Sequence, residues 1–198
     1  MEQRVQGVVI GIVSKLDDPE KLGRVKLKYP DLGDVESDWA YLAAPMAGKE
    51  MGLFLRPEVG DQVLVAFVRG DRRQPYVIGA IWSAPQPPPP QEGEAKENNW
   101  RFLRSRSGHQ LIFDDKKGSE RVIIRDKPDG PGQFREVVID SANKKIQITC
   151  NPNGDIEIKA PKGRVSIEAK TIELKATGDI KIEAGANVKI KGVRVDIN

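Results

Sequence analysis

The sequence predicts an all-β fold in two parts, a small closed barrel followed by a β-helix in which identical chains wind into a triangular prism. Three observations carry this. No segment sustains a 3.6-residue hydrophobic period, so helix is nearly excluded. A proline-rich stretch, APQPPPPQEGEAKENN, separates two strand-rich regions. Beyond it, short alternating apolar bursts recur every seven to ten residues to the end of the sequence.

The first region, residues 1–83, carries VQGVVIGIVSKL and GRVKLKYP, divided by the polar turn DDPEK and read as a hairpin. WAYLAAPMAG, MGLFLRP, DQVLVAFVRG and PYVIGAIW follow as further strands, with Gly, Pro and Asp between them. Alternation is plain in Val25, Leu27, Tyr29 and in Val63, Val65, Phe67. Five or six short strands in roughly eighty residues suit a small barrel of the OB-fold type. Residues 84–99 follow as a linker; Pro87 to Pro90 favour an extended polyproline conformation.

Residues 100–135 supply three more strands within WRFLRSRSGHQLIFDDKKGSERVIIRDK, read as opening the β-helix. Residues 136–198 form the repeat: VVID, IQIT, IEIKA, VSIEA, IELKA, IKIEA, VKIKG and VRVDI, with Gly154, Gly163, Gly178 and Gly185 at the corners. A strand of five residues with one apolar face is not stable alone, and repetition at a short period marks a solenoid. A single chain coiling on itself gives barely two coils from seven repeats. Three chains sharing one axis give about seven layers, about 33 Å at ~4.8 Å per strand, with a dry core. The intertwined homotrimer is therefore the expected form. Its core residues are Ile146, Ile148, Ile156, Ile158, Val165, Ile167, Ile172, Leu174, Ile180, Ile182, Val188 and Ile190. On the outer face, a stack with an eight-residue offset sets Glu173 opposite Lys181, Lys175 opposite Glu183 and Glu183 opposite Lys191.

Composition narrows the function. The 198 residues are 38% hydrophobic, 6% aromatic and 31% charged, with net charge +3. Residues 1–83 hold eleven basic and twelve acidic groups, and later Lys and Glu interleave, so no nucleic-acid footprint emerges. An OB barrel that binds single strands needs aromatic platforms and a basic groove. Trp39, Tyr41, Phe54, Phe67, Tyr76 and Trp82 are sparse, and the barrel is near neutral. A glycan-binding stalk or adhesin is a further alternative, but no aromatic residue follows Phe134. The apolar run Gly7 to Val13 is too short to span a bilayer and lacks a cleavage site, so cytosolic assembly is expected.

Enzyme and metal chemistry find no constellation. His109 is the single histidine; Ser105 or Ser107 with Asp114 or Asp115 could complete a triad by type, but nothing positions them. Asp17, Asp18, Glu20 and Asp31, Asp34, Glu36, Asp38 lack the spacing of a calcium loop and read as solvated turn residues, or as part of a docking surface. Cys150 reads as a strand-end residue. No cofactor or metal is expected.

VQGVVIGIVSKLDDPEKLGRVKLKYP, WAYLAAPMAG and RPEVGDQVLVAFVRGDRRQPYVIGAIW resemble the OB domain of the phage baseplate assembly protein V family and of the valine–glycine repeat proteins of type VI secretion. RSRSGHQLIFDDKKGSERVIIRDK resembles the segment that opens their β-helix. The resemblance implies a structural central spike in a contractile tail or injection machine, a component of a phage virion or phage-tail-like particle that meets the target membrane only during puncture. It implies a hub protein at the OB domain; since the sequence starts at that domain, the hub is expected as a separate trimeric protein. The 16 linker residues leave no room for an intervening lysozyme domain. At the far end, VRVDIN holds no histidine pair for a metal-binding apex. The resemblance therefore implies a PAAR-repeat-like tip protein contacting Val193, Val195, Ile197 and Asn198.

Overall fold

The computed structural model describes residues 4–91, 95–128, 130, 132–151 and 154–196. The first part holds β1 (Val8–Lys15), β2 (Lys26–Tyr29), β3 (Val35–Glu36), β4 (Tyr41–Leu42), β5 (Ala47–Gly48), β6 (Met51–Gly52), β7 (Gln62–Phe67) and β8 (Pro75–Ala80). Six of these form one sheet in the order β3-β2-β1-β7-β8-β4. All neighbours are antiparallel except β4 with β8, which run parallel through Tyr41–Tyr76 and Leu42–Val77. An antiparallel bridge between Val25 and Ala40 joins the start of β2 to the start of β4, so the sheet closes on itself.

The alternation read in β2 and β7 lands inside this barrel. Val13, Val25, Leu27, Tyr29, Ala40, Val63, Val65, Phe67 and Val77 form one buried cluster. Gly11 lets β1 cross this core closely, since a Cβ there would stand 3.0 Å from Val65 Cγ2 and 3.4 Å from Leu27 Cδ1. The expected strands WAYLAAPMAG and MGLFLRP are mostly loop. Only two-residue pieces pair, and Leu53, Phe54 and Leu55 stay exposed between Gly52, at φ +151°, and Pro57.

Along the linker, Pro88 and Pro89 line a cavity with Trp82, Trp100 and Phe102. The second part is a meander: β9 (Trp100–Arg104), β10 (Gln110–Asp114), β11 (Arg121–Arg125), β12 (Arg135–Asp140) and β13 (Lys145–Cys150), antiparallel throughout and in chain order. Its register places Phe102, Ile112, Ile123 and Val138 in one row on one face, where Ile112 and Ile123 are fully buried beside Trp100. The bursts VVID and IQIT, expected as spike repeats, are strands of this meander. A turn over residues 141–144, with Lys144 in the left-handed region (φ 53°), returns β13 onto β12.

From residue 154 to residue 196 the chain pairs with no other strand, and every residue is exposed. Four acid–base pairs there form along the chain, two positions apart: Glu157 with Lys159, Glu173 with Lys175, Lys181 with Glu183, and Arg194 with Asp196. Residues two apart share one face of an extended chain. The charges therefore lie on one side and the Ile, Leu and Val residues on the other. In the single chain these acid–base pairs form along the segment itself.

Candidate functional site

The opposite face of the meander is an apolar surface that the described residues leave largely exposed. Its first row is Leu103, Leu111, Ile124, Val137 and Ile148; its second is Arg101, Phe113, Val122, Ile139 and Ile146. Nine of these ten positions are apolar, and most stand exposed in the single chain. A contiguous apolar face of this kind marks an association surface. The first row continues into a cavity of about 590 Å³ that Ile156 also lines, where the exposed segment leaves the sheet. Close approach there depends on Gly154, since a Cβ would come to 2.5 Å from Cys150 Sγ.

The sequence-predicted core residues fall on this surface and its continuation. Ile146 and Ile148 lie on β13. Ile156, Ile158, Val165, Ile167, Ile172, Leu174, Ile180, Ile182, Val188 and Ile190 follow along the extended segment, each between 51% and 71% exposed. None of them is buried by the described residues of the same chain. Of the residues expected at the tip, Val193 and Val195 are exposed, and Ile197 and Asn198 lie outside the described residues.

The Ser–His–Asp possibility does not assemble. Asp114 is buried and bound by Arg121 at 2.6 Å, and Asp115 is held by Arg101 at 2.6 Å. Ser105 Oγ accepts the backbone N–H of His109 at 3.1 Å and stands 3.3 Å from Ser107 Oγ. His109 Nδ1 instead meets Asp126 Oδ1 at 2.5 Å, while Arg135 Nη2 holds the other oxygen at 2.5 Å. The Arg135 guanidinium keeps the Asp126 carboxyl below the usual carboxylate range. Asp126 was not foreseeable from local sequence. The signal lies in register: Gln110 opposite Arg125 brings His109 opposite Asp126. The cluster ties two hairpin ends together and presents no free nucleophile to the imidazole.

One acidic turn also departs from expectation. Asp18, read as solvated, is buried; it takes backbone N–H groups from Glu20, Leu22 and Arg24 and a two-pronged contact from the Arg24 guanidinium. Glu36 likewise binds Lys15 and Lys26. No group of three or more His, Cys, Asp or Glu side chains among the described residues is arranged to hold a metal ion. Nor, among them, is any helix long and apolar enough to cross a membrane.

A six-stranded sheet with a parallel β4–β8 pair, closed on itself by the Val25–Ala40 bridge and followed by an antiparallel meander, defines an all-β chain whose first part is an OB domain. Residues 9–82, the span of the barrel, match the family model of the type VI secretion system and phage-baseplate injector OB domain. The chain is similar to VgrG spike proteins. It is 28% identical over 118 residues to the type VI secretion system spike protein VgrG3 of Vibrio cholerae, covering 56% of this chain and 12% of that protein. It is 26% identical over 182 residues to the actin cross-linking toxin VgrG1 of Vibrio cholerae, covering 88% of this chain and 15% of that one. To the spike protein VgrG1b of Pseudomonas aeruginosa it is 27% identical over 128 residues, covering 59% of this chain and 17% of that one. The chain thus spans less than a fifth of the length of each of these relatives.

Proposed function

We propose that this chain is a non-catalytic spike subunit of a contractile tail or injection machine, working as a homotrimer. The carrying observation is the chain from residue 154 to residue 196, extended, charged on one face and apolar on the other, and left exposed by the described residues. Two further copies supply the missing contacts. In each layer the apolar rows of three chains meet on the axis, and the ion-paired faces turn outward. The association with an injector OB domain supports a spike over a free-standing stalk.

The barrel docks on a hub, and the prism transmits axial force when the machine fires. Such a rod resists compression because many interchain backbone hydrogen bonds and a dry core act together. Its charged outer face does not partition into lipid, so entry into a membrane is driven mechanically. At the far end, a PAAR-repeat-like tip protein caps the last apolar layer around Val193 and Val195.

Light scattering tests the assembly. The expected mass is three times 21.9 kDa, and a stable monomer at micromolar concentration overturns the reading. For the tip, co-purification with a candidate PAAR-repeat protein should be lost when residues 193–198 are deleted. Unchanged capture by the truncated trimer removes that contact.

A further inference from the structure

Four of the six arginines in residues 1–83 stand together at one end of the barrel: Arg4, Arg69, Arg72 and Arg73. The other two are engaged internally. Arg24 is bound to Asp18, and Arg56 donates to the carbonyl oxygens of Leu16 and Arg24. The clustered four line a concave surface of about 810 Å³ at the β7–β8 loop, with Asp71 the one carboxylate among them.

The loop is built to hold its shape. Asp71 N–H donates to the Val68 carbonyl at 2.9 Å, Gln74 N–H to the Asp71 carbonyl at 3.0 Å, and Val68 N–H to the Gln74 carbonyl at 3.2 Å. The Asp71 carboxylate binds both the Arg73 backbone N–H and its guanidinium. Val5 N–H donates to the Gly70 carbonyl at 3.1 Å, which places Arg4 beside the loop. Gly70 permits this contact in two ways. Its φ is +79°, and a Cβ there would stand 2.8 Å from the Val5 carbonyl oxygen. Arg69 is itself left-handed, at φ 51°.

Asp71 is committed to Arg73. Arg4, Arg69 and Arg72 make no side-chain hydrogen bond and no ion pair with any described residue. Three like charges gathered on a concave surface repel one another, and an incoming anion relieves that repulsion while gaining several charge-assisted hydrogen bonds. All four cations are arginine, whose planar forks match carboxylates two bonds at a time. No aromatic side chain lines the surface, so nucleobases would have no platform on which to stack.

We propose that the Arg4–Arg69–Arg72 surface is a docking site for an acidic polypeptide segment of a partner protein. The site belongs to the barrel alone and does not rest on the trimeric spike reading. The experiment uses the full chain and a fluorescein-labelled oligoglutamate peptide, followed by anisotropy at low ionic strength. Binding should weaken as salt rises. Arg69→Glu should weaken it about tenfold, equivalent to about 1.4 kcal/mol. Lys49→Glu makes the same change in net charge at an exposed position outside this surface, and should leave binding within about twofold. Equal weakening by both variants, no binding by the wild-type chain, or tighter binding of a thymidine oligonucleotide that Arg69→Glu abolishes would each overturn the proposal. Light scattering on the same samples reports separately on the trimer.

Discussion

Arg24 Nη2 stands 2.8 Å from Asp18 Oδ1, with both side chains buried in the loop between β1 and β2. Asp18 organises that loop, since three backbone N–H groups converge on its carboxylate at 2.9 to 3.2 Å. The Arg24 guanidinium, with help from these amides, holds the Asp18 carboxyl well below the usual carboxylate range. A carboxylate so depressed contributes stability that is complete above the ordinary value of about 4 and is lost as pH falls toward the folded value. Asp18→Asn should therefore lower the melting temperature at neutral pH and flatten its fall in acid. Asp18→Ala should be worse than Asp18→Ala with Arg24→Met, because the single change leaves the buried guanidinium with only the exposed Glu20 carboxylate, at 2.9 Å, as counter-charge. Thermal melts from pH 7 down to pH 2 check both; equal acid sensitivity of wild type and Asp18→Asn would count against the lock.

At the alkaline end Tyr29 is a buried group whose titration opposes folding. Burial in the barrel core pushes its phenol up to about 12, against about 10 in an unfolded chain. The neutral phenol is thus favoured by folding. Its contribution is complete below about pH 10 and is lost as pH rises toward 12. Tyr29→Phe keeps the ring that packs edge-on against Phe67 at 5.7 Å and should remove part of the alkaline destabilisation. Melting temperatures at pH 8, 10 and 11 for the two proteins measure this, and parallel curves would assign the alkaline loss elsewhere.

Neighbouring residues on β11 separate the two faces of the meander. Ile123 is 1% exposed, whereas Ile124 is 60% exposed in the single chain. Ile123→Ala should cost about 2–5 kcal/mol whatever the oligomeric state. Ile124→Ala should also be costly if its face is closed by further copies, and should lower the denaturant midpoint of the trimer. A change within about 0.5 kcal/mol would mean that the face stays wet.

The sequence makes the barrel core legible because period-two alternation survives in β2 and β7, whose inward residues are those that alternate. What escapes is non-local. The parallel pairing of β4 with β8 and the bridge from Val25 to Ala40 join residues far apart in sequence, with only two-residue strands to announce them. Asp18 looks like its acidic neighbours until Arg24 folds back on it, and Asp126 meets His109 only through strand register. VVID and IQIT resemble the later bursts in composition. The difference is the turn over residues 141–144, tight enough for the two strands to pair with each other.

The sharpest test of the spike reading compares adjacent residues in one repeat. Ile182 lies on the apolar side of the extended chain; Lys181 lies on the charged side, where it pairs with Glu183 at 2.8 Å. In the trimer, Ile182→Asp places three carboxylates around one dry layer. Each must be desolvated beside two like charges or take up a proton to avoid it, and the variant should lose several kcal/mol or fail to trimerise. Lys181→Asp removes an exposed ion pair and sets a like charge beside Glu183, an effect of about 1 kcal/mol or less. Since every residue from 154 to 196 is exposed in the isolated chain, a monomer would tolerate both substitutions alike. Mass by light scattering and thermal melts on the two variants therefore distinguish the inside from the outside of the proposed prism, and identical behaviour would remove the assignment of Ile182 to a shared core.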